Sequence, residues 1–224
     1  ALAKSRGLGL AVLVGGAWVG TRLEEITDEA AAQLAQAVLE SKCMEVFCGI
    51  PLTELRSGTL KVLNLSGNGI GLLGALVLSE LVPTGSLVTL DLRGNDIGPE
   101  GAAALAEALK VPNGSLGTLD LSGNNLCPRG AAILAEALKV PSGSLVTLDL
   151  SVNEIYSQGA AALAEALKVP NGSLGALNLA GNYIQDKGAA ALAEALKMPS
   201  GSLGTLDLRT NKIGSDGAAA LAEA

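Results

Sequence analysis

Residues 87–115 read LVTLDLRGNDIGPEGAAALAEALKVPNGS, and close copies of this 29-residue phrase begin at 116, 145, 174 and 203. Leu87, Leu116, Leu145, Leu174 and Leu203 each follow a serine and stand 29 residues apart. Self-similarity at a period of roughly 20–50 residues marks supersecondary units that stack and share one core. Within the phrase, Leu87, Leu90 and Leu92 are spaced as a strand with one buried face requires, while Val88, Thr89, Asp91 and Arg93 face the other way. Asn95 then turns the chain inward. Gly101 is expected to open a helix in which Leu105 and Leu109, four apart, share a face, and Pro112 and Gly114 to end it. The helix is alanine-rich, which gives it high propensity and a slim profile. A strand-helix-strand unit returns the chain in the same direction, so the strands should be parallel.

The copies divide the chain into two regions. Residues 59–224 form the array, about six repeats, the last breaking off inside its helix at LAEA. Its first copy, TLKVLNLSGNGI in 59–86, is divergent and shorter, since Leu60 to Leu87 is 27 residues. Residues 1–58 are an irregular N-terminal capping region, with a helix near 28–40 and a short strand near Met44 to Cys48. The stretch ITDEAAAQLAQAVL from Ile26 echoes IGPEGAAALAEAL from Ile97. Before it, Gly7 to Gly20 reads GLGLAVLVGGAWVG, 14 apolar and glycine residues, too few to span a bilayer. Two readings stand: an irregular first strand and turn of the solenoid, or a signal-peptide core preceded by Lys4 and Arg6.

The phrase L-x-x-L-x-L-x-x-N-x-[IL] with a full helix per copy resembles the leucine-rich repeat, in its ribonuclease-inhibitor-like subtype, as found in the repeat regions of NOD-like receptors. The resemblance implies a right-handed α/β solenoid, a horseshoe with parallel strands on the concave face and helices on the convex face. It also implies that Asn68, Asn95, Asn124, Asn153, Asn182 and Asn211, which share one slot, are buried and bond the backbone of the turns.

Composition removes whole classes of chemistry. The chain has no histidine, which excludes Ser-His-Asp and Cys-His catalysis and His-containing zinc sites. A net charge of −7 keeps it soluble and argues against a nucleic-acid partner, which needs a basic stripe. Cys43, Cys48 and Cys127 are too few for a disulfide framework; Cys43 and Cys48 read as small buried hydrophobes, and the reduced thiols favour an intracellular over a secreted setting. Asn64, Asn113 and Asn171 each begin N-x-S, and Asn113 and Asn171 lie in P-N-G-S turns. No phosphate-binding glycine motif is present, and no cofactor, metal or catalytic residue is expected.

Candidate binding residues come from comparing the copies. Asn64, Asp91, Asp120, Asp149, Asn178 and Asp207 occupy the middle outward strand position, so that Asp91, Asp120 and Asp149 should stand side by side. Such a column could serve a basic partner or a weak cation, or simply be the repeat's favoured residue. Like charges so placed should raise some of the carboxyl pKa values. Change between copies concentrates at the strand end and the turn that follows. There Tyr156 and Tyr183 lie in consecutive repeats and suit an interface anchor, with Arg93, Arg129, Glu154, Arg209 and Lys212 as polar neighbours. A constant scaffold with a varied edge points to a module or scaffold that binds a protein partner through its concave face and that edge, with the C-terminal end as a further possible contact. That end has no polar cap and is expected to fray or self-associate. The family resemblance leaves two alternatives: a GTPase-activating or other regulatory role, and a structural subunit of a larger assembly. A bare duplicated array without a ligand is a third.

Overall fold

The computed structural model describes residues 9–14, 17–22, 27–112, 114–140, 143–170, 172–198 and 201–224. Lys4, Arg6, Ile26, Asn113 and Asn171 lie outside them. The first elements are β1 (Gly9–Val14) and β2 (Ala17–Arg22), paired antiparallel from Gly9 with Arg22 to Val14 with Ala17. This corrects the expected first strand of the solenoid, because the pair is a sheet of its own. Two residues separate the strands, and so short a connection permits only antiparallel pairing.

Helix α1 (Asp28–Glu40) starts where expected, with the Thr27 side chain accepting from Ala30 N and Asp28 and Glu29 in its first turn. Strands β3 (Val46–Phe47) and β4 (Ile50–Pro51) form a second small hairpin, followed by α2 (Leu52–Ser57). Arg56 of α2 ties this cap together by donating to the carbonyls of Val38, Leu39 and Met44 at 3.0, 3.1 and 3.2 Å. Of the two cysteines expected as small buried hydrophobes, Cys48 packs against the core but Cys43 does not. Phe47, Ile50, Leu52 and Leu55 supply the core, Cys43 is exposed, and Cys48 is half-buried at the hairpin bend with φ 47°. Burial pushes the Cys48 thiol up to about 11, so it is protonated and unreactive near neutrality.

The array follows as β5 (Val62–Asn64), α3 (Gly71–Leu81), β6 (Thr89–Asp91), α4 (Gly98–Leu109), β7 (Thr118–Asp120), α5 (Cys127–Leu138), β8 (Thr147–Asp149), α6 (Tyr156–Leu167), β9 (Ala176–Asn178), α7 (Gln185–Leu196), β10 (Thr205–Asp207) and α8 (Ser215–Ala222). Strands β5 to β10 make one parallel sheet in sequence order, and each pairs with the next at equivalent repeat positions. Each helix packs on the next, and the core lies between helix row and sheet. Leu90, Leu119, Leu148 and Leu177 form one continuous buried row inside the sheet.

The helices begin earlier than the sequence suggests. Gly98 starts α4, and Gly101 lies inside it. What Gly101 provides is room on two sides: a Cβ there would meet the Ile97 side chain at 2.5 Å and Ala75 of α3 at 3.2 Å, and one at Gly159 would overlap the Ile155 side chain and meet Ala131 of α5 at 3.0 Å. Glycine and alanine at these points let neighbouring helices close up to the spacing the strands impose. Glu-Lys pairs at 107/110, 136/139, 165/168 and 194/197 lie on the solvent side.

The asparagines are the main polar feature of the interior. Asn153 is fully buried. Its side-chain amide donates to the carbonyls of Leu121 at 2.8 Å and Leu150 at 3.1 Å, and its oxygen accepts from Asn124 N at 2.9 Å and Leu126 N at 3.3 Å. Asn124, Asn182 and Asn211 repeat the pattern. Among the described residues, no buried side-chain nitrogen or oxygen lacks a partner. Asn68 is the exception to the expected set: it is exposed, because β5 is the edge of the sheet and the β3–β4 bend at Gly49, not a repeat turn, lies beside its side chain. A second ladder runs along the other edge, where Ser115, Ser144, Ser173 and Ser202 donate to leucine carbonyls 28 residues earlier, each at 2.8 Å.

These ladders predict unequal effects of one substitution. Asn153→Ala should destabilise the chain by about 3 kcal/mol or more, because it orphans buried groups in two turns at once. Asn68→Ala should change stability by less than about 0.5 kcal/mol. Urea unfolding midpoints of the two variants check this.

Candidate functional site

The varied edge is built from a turn with an unusual backbone. In the repeat after β8, Val152, Glu154 and Tyr156 have φ of 56°, 53° and 56°, in the left-handed region. Asn153 and Ile155 alternate with them and are fully buried. The cause lies in the hydrogen bonding between repeats. Val152 N donates to Ala180 O and Tyr156 N to Asn182 O, both at 2.9 Å, while Asn153 N and Ile155 N donate to Asn182 Oδ1 at 2.8 and 3.3 Å. Turning these N–H groups toward the next repeat forces every second residue into the left-handed region.

Glycine takes this conformation freely, and other residues pay for it. The first array turn uses Gly67, Gly69 and Gly71 at these three positions, with φ of 67°, 64° and 53°. The next uses Gly94, Asp96 and Gly98, and the one after it Gly123, Asn125 and Cys127. Only in the turn of Val152, Glu154 and Tyr156 are all three positions non-glycine, and Val152 is β-branched, the residue type that tolerates φ > 0 least. Gly181, Tyr183 and Gln185 follow, then Thr210 and Lys212. Each such residue costs on the order of 1–3 kcal/mol.

Its side chains do little for the fold. Val152 is 64% exposed, Tyr156 40% and Tyr183 38%. The two tyrosine rings stack at 5.7 Å between centroids with 22° between planes, and Lys212 Nζ stands 4.7 Å from the Tyr183 ring centroid. Three consecutive repeats thus join in one exposed aromatic and cationic strip, with Glu154, also exposed, beside it in the turn.

The arginines are not part of this strip. Arg93 pairs with Asp91 at 3.0 Å, Arg129 with Glu100 of the preceding repeat at 2.6 Å, and Arg209 with Asp207 at 2.5 Å. The acidic column is aligned in register as expected, but its carboxylates serve the turn. Asp120 Oδ1 accepts from Ser122 N at 2.9 Å and Ser122 Oγ at 2.6 Å; Asp149 does the same with Ser151 at 2.8 and 2.6 Å, and its other oxygen accepts from Asn178 at 2.7 Å. Asn64 and Asn178 hold the same turn with an amide oxygen. The column therefore has a structural cause. Among the described residues no group of three or more His, Cys, Asp or Glu could hold a metal ion. At Asp207, beyond Asn178 in the same column, hydrogen bonds from the Arg209 guanidinium, then from Arg209 N–H, hold the carboxyl below its ordinary value.

Sequence reasoning selected the two tyrosines and Lys212 and counted Val152 and Thr210 among the varied turn positions, without singling these two out. The signal was available: G-x-G-x-G at 67–71 marks slots where any other residue is conspicuous.

A family model described as Leucine Rich repeat matches residues 57–79, 86–106, 144–164, 171–193 and 202–222. This chain is a leucine-rich-repeat protein. The repeat at 115–143, between the matched segments, has the same register and the same asparagine bonds. A search of curated proteins gave no match. No helix among the described residues is long and apolar enough to cross a membrane.

Asp207 yields a pH prediction. A lowered folded value means that its contribution to stability is whole above the ordinary carboxylate range and vanishes as pH falls through the lowered value. Arg209→Gln should raise the Asp207 titration midpoint toward that of a free aspartate, as read by carboxyl NMR. An unchanged midpoint would show that Arg209 does not hold it.

Proposed function

We propose that this chain is a non-enzymatic recognition module that binds another protein through the edge centred on the turn of Val152, Glu154 and Tyr156, extended by Tyr183 and Lys212. Leucine-rich repeats are generally protein-interaction modules. The observation that carries the reading is the left-handed turn itself. Residues with large exposed side chains occupy three positions where glycine would relieve the backbone, and drift alone favours the cheaper residue. Left-handed non-glycine residues recur from the second array turn onward, but only here do they fill all three positions, and strain concentrated at an exposed site is a mark of function. Tyrosines suit such a place, since each offers a large apolar face and a polar tip for little rotamer entropy. The solenoid presents them on a frame already ordered before binding, so little conformational entropy is lost on docking.

The test is capture of a partner from source lysate by the wild-type chain and by a Tyr156→Ala/Tyr183→Ala variant. The variant should keep an unfolding midpoint close to wild type, because both rings are at the surface, and should lose the partner, with affinity falling at least about tenfold. A partner held equally by both proteins would remove the edge from the binding surface. A large drop in midpoint would make the rings structural.

A further inference from the structure

The aromatic strip has two ends, and one already holds a cation. Lys212 Nζ lies 4.7 Å from the Tyr183 ring centroid, inside the roughly 6 Å at which the negative face of a ring attracts an ammonium or guanidinium. Tyr156 forms the other end. It is 40% exposed, and among the described residues no cation stands over its ring. Glu154, two residues away and exposed, makes no ion pair among the described residues. The arginines that could have met them, Arg93, Arg129 and Arg209, are engaged with Asp91, Glu100 and Asp207.

The geometry points to an arginine of the partner protein as the group received here, its guanidinium against the Tyr156 ring and bonded to the Glu154 carboxylate. This rests on the reading that the edge is the binding surface, and it names the chemistry of what binds. A guanidinium is planar and carries donors in a fixed fork, so it can stack on a ring and bond a carboxylate together; a lysine ammonium can do only one of these well. Val152, 64% exposed in the same turn, offers an apolar shoulder to the methylene stem of such a side chain. The net charge of −7 draws basic partners and repels phosphate-bearing ones.

The chain has two tyrosines, so their ring NMR signals can be assigned with a single substitution. The probe is N-acetyl-arginine amide titrated into the full chain, with N-acetyl-citrulline amide as its neutral counterpart of the same shape. The arginine probe should shift the Tyr156 ring signals saturably, and citrulline should shift them little. Glu154→Gln, with an unchanged unfolding midpoint, should weaken the arginine response by about fivefold. Equal responses to arginine and citrulline, an unaffected Glu154→Gln variant, or no saturable shift would each overturn the proposal. The two readings fail separately. A silent arginine probe beside a partner lost by the double tyrosine variant rejects only the cationic chemistry; a partner kept by that variant rejects the edge.

Discussion

One buried carboxamide in each repeat after the first governs the rest of the structure. A solenoid turn must bring its backbone into the interior, where each unpaired N–H or C=O group is costly. Asparagine meets that need because it has two donors and an acceptor on a short stem, and each copy serves its own turn and the one before it. A common register at the turn follows. In the 29-residue copies the asparagine reaches carbonyls 3 and 32 residues earlier, and Asn95, after the shorter first copy, keeps the same partners at 3 and 30. The leucine rows fill the volume, while the asparagine ladder sets where the volume lies.

The same constraint creates the surface on which function is proposed. Pointing the turn's N–H groups at the next repeat places alternate residues in the left-handed region, with side chains outward. Those positions are free of core packing, yet any residue but glycine is strained there. Stability and recognition therefore compete at the rim. In the first array turn, with three glycines, stability prevails; in the turn of Val152, Glu154 and Tyr156 the side chains do. The acidic column illustrates the opposite case, a repeated charged residue whose oxygens are taken up by the adjacent turn.

The repeat itself was readable because period, leucine spacing and asparagine slot are local features copied many times. Parallel strands and helix faces followed directly. What was not readable depended on geometry between copies. Gly101 resembled a helix start, and its role emerged only from the approach of Ile97 and Ala75. Cys43 and Cys48 both looked like buried hydrophobes, but only Cys48, at the bend of the β3–β4 hairpin, reaches the core, and Cys43 before that hairpin is exposed. Asn68 shared the slot of its neighbours but not a preceding repeat. The tyrosines were visible as rare residues, whereas their stacking, and the contact with Lys212, required the offset of one repeat on the next.

The central claim is that the turn after β8 carries its side chains against the preference of its own backbone. The most direct test is the urea unfolding midpoint of a Val152→Gly/Glu154→Gly variant, which leaves the tyrosine stack in place. Relief of two left-handed residues should stabilise the chain by about 1–3 kcal/mol. An unchanged or lower midpoint would contradict the account, because those side chains would then be supported by the fold and would need no function to retain them.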